Sequence, residues 1–274
     1  MTIPTEPGLY RDIPDEVYHS DRNSLSSSGA RTIIFDSPNE FRNAERVEKR
    51  EYDFGHAAHL YVLGKGAELD VVDAPDWRSK DARLAREKIR AAGRVPILKD
   101  EDEKAREMAR VALEHDLVGA YFAEGEAELS GWWIDPEFGV WLRFRLDWIT
   151  HLDDGRVIVV DYKTSKASGH RAFKKAAGEY GYYMQMPFYV DGLRSLGIEV
   201  HDFVFITQCK TKPYRLSVDR VDHHDVALGH RLNRRAIQIF ADCMAEDRWP
   251  DDSHEIKTAS IPAHIRYRAE ELLA

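Results

Sequence analysis

The chain has 274 residues, an ordinary balance of apolar and charged side chains, a formal net charge of −9 and two cysteines, Cys209 and Cys243. That length supports one large domain with a substantial core, while two thiols exclude a disulfide framework and the four-thiolate set that an iron–sulfur cluster needs. The negative balance argues against a protein that coats polyanions over its whole surface, yet it leaves room for a cleft in which local Lys and Arg dominate.

The start, Thr2-Ile3-Pro4-Thr5-Glu6-Pro7, lacks a basic, apolar leader, and no apolar run approaches the ~20 residues of a membrane span, so a cytoplasmic location and no membrane partner are expected. Residues 1–24 read as an extended arm that Tyr10, Ile13 and Tyr18 pin to the body. Residues 25–125 read as mainly helical. Ser26 or Ser27 caps a helix carrying Ile33, Ile34 and Phe35, and Ser37-Pro38 is a second N-cap with proline at the first helical position. Phe54 to Leu63, rich in small and apolar residues, predicts a closely packed helix bearing His56 and His59 and stopped by Gly64 and Gly66. Between Trp77 and Arg94 the chain is dense in cations. Arg78, Lys80 and Arg83 are its first candidates for phosphate contact, against the plainer reading of a solvated helix face. Asp100 to His115 reads as a helix with Ala105, Met108, Ala109, Ala112 and Leu113 turned inward.

At Glu126 the hydrophobic period changes. Glu126–Ile134, Val140–Thr150 and Arg156–Lys163, separated by Asp135-Pro136-Glu137-Phe138-Gly139 and Asp153-Asp154-Gly155, predict a three-strand meander. Alternation along the middle strand places Trp141, Arg143, Arg145 and Asp147 on one face and Leu142, Phe144, Leu146 and Trp148 on the other. Asp147 therefore looks into a polar cleft, and Arg143 and Arg145 beside it are candidates for backbone phosphates. The third strand ends in Asp161-Tyr162-Lys163, fourteen residues after Asp147, with Asp161 and Lys163 on one face. Two carboxylates able to hold a divalent metal, with an ammonium beside them, are what phosphodiester hydrolysis asks of a protein.

Ser165–Lys175 reads as a linker and Glu179–Leu196 as a helix on which Gln185 and Tyr189 lie one above the other, although Pro187 interrupts it. Val200–Thr207 and Tyr214–Val221 predict a hairpin, Asp222–Ala245 a long helix, and Trp249-Pro250 leads into a tail. The tryptophans at 132, 133, 141 and 148 read as sheet packing rather than base platforms. The expected architecture is one α/β domain over 1–274, a central mixed β-sheet flanked by helices, with the catalytic sheet in 126–221 and a C-terminal helix and tail in 222–274.

Asp147 followed by Asp161-Tyr162-Lys163 resembles the signature of the PD-(D/E)XK nuclease superfamily. Gly55-x-x-x-His59, Glu128 at the start of a Trp-rich strand, and Gln185-x-x-x-Tyr189 after the lysine match its RecB/lambda-exonuclease-like branch. Nearly the whole chain is similar to the RecE-type exonucleases (exodeoxyribonuclease VIII). The marks are Leu25-Ser26-Ser27-Ser28, Ser37-Pro38, Phe54-Gly55-His56-Ala57-Ala58-His59, Glu128-Leu129-Ser130-Gly131-Trp132, Arg143-Phe144-Arg145-Leu146-Asp147-Trp148, Val160-Asp161-Tyr162-Lys163-Thr164 and Trp249-Pro250.

That resemblance implies a Mg²⁺- or Mn²⁺-dependent 5′→3′ exonuclease on double-stranded DNA ends. It leaves 3′ single strands for recombination by a RecT-type annealing protein and works as a homo-oligomeric ring. It also implies that His59, Glu128, Asp147, Asp161 and Tyr162 form the metal site, that Lys163 orients the attacking water, and that Gln185 and Tyr189 hold the lysine, the nucleophile or the scissile phosphate. His56 is expected to be structural. The competing readings are a Cas4-like or other RecB-type nuclease on single strands or flaps, and a catalytically silent DNA-binding scaffold.

Overall fold

A computed structural model describes residues 2–45, 50–251, 253, 256 and 258–273. The N-terminal arm is more structured than its prolines suggest. It forms a short strand β1 (Gly8–Tyr10), a helix α1 (Asp15–Ser20) and a strand β2 (Ser24–Ser26), because Ile13 and Tyr18 bury themselves against Trp132. Ser26 then caps α2 (Ser27–Phe35), its hydroxyl accepting from Gly29 N, and Ser37 caps α3 (Pro38–Asn43) by accepting from Glu40 N. Both caps are as expected. The histidine-bearing helix is α4 (Arg50–Leu63), and Gly64 follows it at φ 69°, in the left-handed region that ends helices.

The stretch 25–125 is mainly helical, but it also holds two strands that the sequence did not announce: β3 (Leu69–Val72) and β4 (Val95–Leu98) pair in parallel around α5 (Lys80–Ala91) as a small separate sheet. Four-residue strands carry too little alternation to stand out beside a highly charged helix. Next come α6 (Lys99–Leu113) and α7 (Asp116–Tyr121). Ala105, Met108, Ala109 and Ala112 are buried on α6 as expected, but Leu113 is exposed at its end.

The meander forms as predicted in β5 (Glu126–Ile134), β6 (Trp141–His151) and β7 (Val157–Ser165). The expected linker after it is largely a helix, α8 (His170–Tyr180), whose Phe173 and Ala177, four apart, are both buried. Gly181 at φ 75° breaks the chain, and α9 (Tyr182–Ser195) follows. The chain continues through β8 (Val200–Cys209), β9 (Leu216–Asp219) and α10 (His223–Glu246), then α11 (Ala263–Glu271), which the tail did not predict and which has no buried residue. No helix among the described residues is long and apolar enough to cross a membrane.

The main sheet runs β1-β5-β6-β7-β8-β9 with β2 alongside β6, and its β2–β6 and β7–β8 pairs are parallel while the rest are antiparallel. One face packs on α2, α9 and α10 through a large cluster including Phe144, Phe188, Phe203, Phe205 and Phe240. The other packs on α4, α6 and α7 through a cluster including Phe122, Trp148, Val160, Tyr162 and Ile206. Trp132, Trp133 and Trp148 are buried packing residues, and Trp141 is partly buried against the Ile13–Tyr18–Trp132 cluster.

β6 and β7 pair only from Trp148↔Val160 to His151↔Val157. Towards Asp147 and Asp161 they part, and β2 takes up the vacated side of β6 at Trp141–Arg143. β7 is still held in the sheet by β8, which pairs with it as far as Ser165. The result is a split in the sheet floor, bordered by two strands whose backbones remain anchored on their outer sides. The expected face of β6 also changes there. Leu142, Phe144 and Leu146 lie in the α9-side core, but Trp148 belongs to the α4 side, and Ile149 takes its place. Glu128 sits between the pairs Ala127↔Trp148 and Leu129↔Leu146, opposite Asp147, with a left-handed backbone of φ 54°, so the alternation resets across these two residues.

Candidate active site

The split positions the acids. With no β6 partner, the backbone N–H of Tyr162 donates instead to Asp147 Oδ2 at 2.8 Å, which fixes the Asp147 carboxylate between the strands. From the α4 side His59 brings its Nδ1 to 3.9 Å from the same oxygen and hydrogen-bonds to the Tyr162 backbone. Glu128 arrives from β5, and the ligand atoms of His59, Glu128 and Asp147 all lie within 4.8 Å of one another. From the α9 side come Asp161 and Lys163, whose Nζ lies 2.6 Å from Asp161 Oδ1. The other Asp161 oxygen accepts from Gln185 Nε2 at 2.5 Å. Asp161 is only 1 % exposed, so this ammonium and amide are its principal compensation.

The acids are crowded beyond what their neighbours neutralise. Burial, then Asp147, pushes Glu128 up to about 7 against the opposing pull of Arg145. Burial likewise raises Asp147, and it raises Asp161 to about 6 although Lys163 opposes it. Burial and then Lys163 lower His59 to about 4, so its imidazole is neutral and carries a lone pair. Desolvation pulls Lys163 down, but Asp161 and Asp147 outweigh it and hold the ammonium above its ordinary value. Two carboxylates that ionise at a cost, Glu128 and Asp147, beside a neutral imidazole make a donor set that suits a divalent cation of the Mg²⁺ or Mn²⁺ kind, with the nitrogen favouring Mn²⁺, while Asp161 stands outside that group, engaged by Lys163 and Gln185.

These groups underlie a cleft of about 1050 Å³ whose walls include His59, Glu128, Arg145, Thr164 and Tyr182. His56, expected to be structural, is exposed and lines it too. Gln185 and Tyr189 do the job of support: Tyr189 hydrogen-bonds to Gln185, and Gln185 holds Asp161. The pair reaches the lysine through Asp161, whose other oxygen Lys163 holds. Tyr189 packs between Phe144 and Phe203, and burial keeps its hydroxyl protonated.

The predicted phosphate contacts divide. Arg143 is 5 % exposed and donates to the backbone oxygen of Ser24 and, at 2.8 Å, to its hydroxyl, so it ties β2 to β6 and does not open into the cleft. Strand alternation chose its face correctly, but the arm covers that face. Arg145 does line the cleft, where it donates to Ser130 Oγ at 2.9 Å, to Asp15 at 2.8 Å and to Ile13 O at 2.8 Å. Arg78, Lys80 and Arg83 are exposed around the start of α5 and are not among the residues that line this cleft. The cleft's other cations are Lys65, Lys166 and Lys210. Lys166 and Lys210 stood in stretches read as a linker and a hairpin turn, and their positive charge was the available signal. Lys65 is held by Asp12 at 2.7 Å.

Residues 39–260 match the profile of a family described as a PDDEXK-like domain of unknown function (DUF3799). Among solved structures the chain is similar to the crystal structure of "Putative exonuclease" from Eubacterium rectale, with a TM-score of 0.59 and 13% identity over 95% of this chain and 99% of that one. At that identity the likeness shows the fold alone. The crystal structure of SSO0001 aligns with a TM-score of 0.30 and 19% identity over 69% of this chain and 85% of that one, too loosely to carry an argument. No curated protein matches the chain.

Proposed function

This chain belongs to the PDDEXK-like family (DUF3799), and we propose that it is a metal-dependent DNA nuclease of the RecE type that degrades double-stranded ends 5′→3′. The observation that carries the reading is the split between β6 and β7, which gathers His59, Glu128, Asp147, Asp161 and Lys163 beneath one cleft. His59, Glu128 and Asp147 would hold the divalent cation, with Asp161 and the Tyr162 backbone beside them. When bound, the cation supplies charge neutralisation and Lewis acidity. Lys163, kept charged by Asp161, orients the attacking water and stabilises negative charge growing on the phosphate oxygens. Gln185, braced by Tyr189, keeps the Asp161 carboxylate turned toward the lysine. Arg145, Lys166 and Lys210 contact backbone phosphates, which gives no base preference. In the same reading the 3′ strand passes to a RecT-type annealing protein and the working form is a homo-oligomeric ring. Both follow from the family resemblance of the motifs.

The test is a time course on linear duplexes labelled at the 5′ or the 3′ end, with Mg²⁺, Mn²⁺ or EDTA, beside closed circular DNA. Early release of the 5′ label, metal dependence and intact circles are expected, and circles cut as fast as ends would sink the exonuclease reading. Lys163→Ala should fall in rate by about 100-fold or more while keeping its fold. A variant as active as the parent would remove Lys163 from the chemistry.

A further inference from the structure

The corner between α8 and α9 carries an aromatic pair that the roles above leave unused. Tyr180 ends α8 and Tyr182 begins α9, and Gly181 between them turns the chain at φ 75°, a conformation open to glycine without strain. Arg31 braces the corner, donating to Glu179 O at 2.9 Å and lying where a Cβ on Gly181 would meet it at 2.8 Å. Tyr182 is fixed in orientation. It stacks on the buried Phe205 at 5.1 Å and 16°, and Lys163 Nζ lies 5.5 Å from its ring centroid. Tyr180 continues the series, 6.1 Å from Tyr182 at 30°. Both rings line the cleft, yet Tyr180 is 59 % exposed.

Phe205, Tyr182 and Tyr180 thus form a short aromatic ladder that starts in the core, passes the lysine and ends in an open face. A base between the two tyrosines would need about twice the ~3.4 Å rise per nucleotide of a strand, so the available surface is the outer face of Tyr180. Lys166 and Lys210 line the same cleft, which sets cations for phosphate beside a π-face for a base. A base inside a duplex has both faces covered by its neighbours, whereas an unpaired base has a face to offer. Every base has such a face, so stacking tolerates any sequence.

We propose that Tyr180, oriented by Tyr182, is a stacking platform for an unpaired base next to the phosphate served by Lys163, so that the cleft accepts a single strand or a frayed end. This rests on the nuclease reading above and adds to it a contact for a base that the opening of a duplex end sets free.

The test uses the full chain in EDTA and fluorescence anisotropy with two probes, an oligothymidylate and an oligomer of equal length made of abasic residues. The parent protein should prefer the thymidylate, and Tyr180→Ala should shrink that preference by about fivefold to tenfold, with little change in affinity for the abasic probe. Tyr180→Phe and Tyr180→Trp should retain it. The exposure of Tyr180 makes a folding defect easy to separate, since a thermal melt of the alanine variant should overlay the parent's. Equal weakening on both probes, or an unchanged preference, overturns the platform while leaving the nuclease reading intact if the parent still cleaves DNA with Mg²⁺ or Mn²⁺. A parent that neither binds the probes nor cleaves DNA overturns both.

Discussion

Glu128 has a left-handed backbone inside a strand, which costs a residue with a side chain about 1–3 kcal/mol, and it adds a carboxylate to a site already occupied by Asp147. A bound cation would offset the second cost and leave the first. In EDTA the second has a measurable sign. Burial and Asp147 move Glu128 from 4.5 to about 7, so the folded chain binds its proton more tightly than the unfolded chain does. Stability is therefore lost as pH rises from about 4.5 to about 7 and is level beyond, by about 3 kcal/mol in all. Glu128→Gln keeps the backbone strain and removes the charge. In EDTA it should be more stable than the parent at pH 8 by up to that amount and equal to it near pH 4, as measured by denaturant melts. No advantage at pH 8 would mean that Glu128 ionises there without penalty. At this scale the sequence was informative about chemistry and poor about access. Asp147, Asp161 and Lys163 were legible because their types and spacing are tied to strand alternation. That Arg143 is sealed under the arm by Ser24 while Arg145 reaches the cleft was not, since both share one strand face and only the path of the arm separates them.

The helix that carries Gln185 to Asp161 contains Pro187, which has no N–H for a helical bond and crowds the carbonyl of Tyr183 one turn back. α10 answers this at close range. Gly229 lies so near that a Cβ on it would fall 1.8 Å from the Tyr183 oxygen, and Asn233 donates to the Met184 oxygen at 2.8 Å. Gly229→Ala must push the two helices apart. It should cost about 1–3 kcal/mol or more and lower the cleavage rate together with the melting midpoint, because Gln185 moves with α9. Gly178→Ala, on α8 with open space around its Cβ position, is the matched control and should be neutral or stabilising by about 0.5–1 kcal/mol. An unaffected Gly229 variant would show that the helices dock elsewhere than at this contact. Elements with a sustained period were readable in advance, the meander above all. α8 was missed because its Lys and Gly content suggested a linker, although Phe173 and Ala177 held the helical spacing. The Pro187 helix was placed correctly, but its compensation lies on α10, more than forty residues later.

Over the whole molecule, the site exists because α4, β5, β6, β7 and α9 converge on a sheet that comes apart at one place. No local pattern states where β6 and β7 cease to pair. Convergence of that kind couples metal binding to global stability, since the unfolded chain cannot assemble His59, Glu128 and Asp147. At a Mn²⁺ concentration about 100 times its Kd, binding adds about 2.7 kcal/mol. For a chain of this size that raises the melting midpoint by about 5 °C. The rise should be larger at pH 8 than at pH 5, because Glu128, at about 7, must release its proton to bind. A second group complicates the assignment and also sharpens it. The exposed Asp222, His223 and His224, at the start of α10, bring ligand atoms within 4.8 Å of one another as well. Asp147→Asn should abolish the rise, whereas His223→Ala with His224→Ala should leave it intact. The reverse pattern would put the metal on the surface of α10 and empty the split in the sheet of its proposed role.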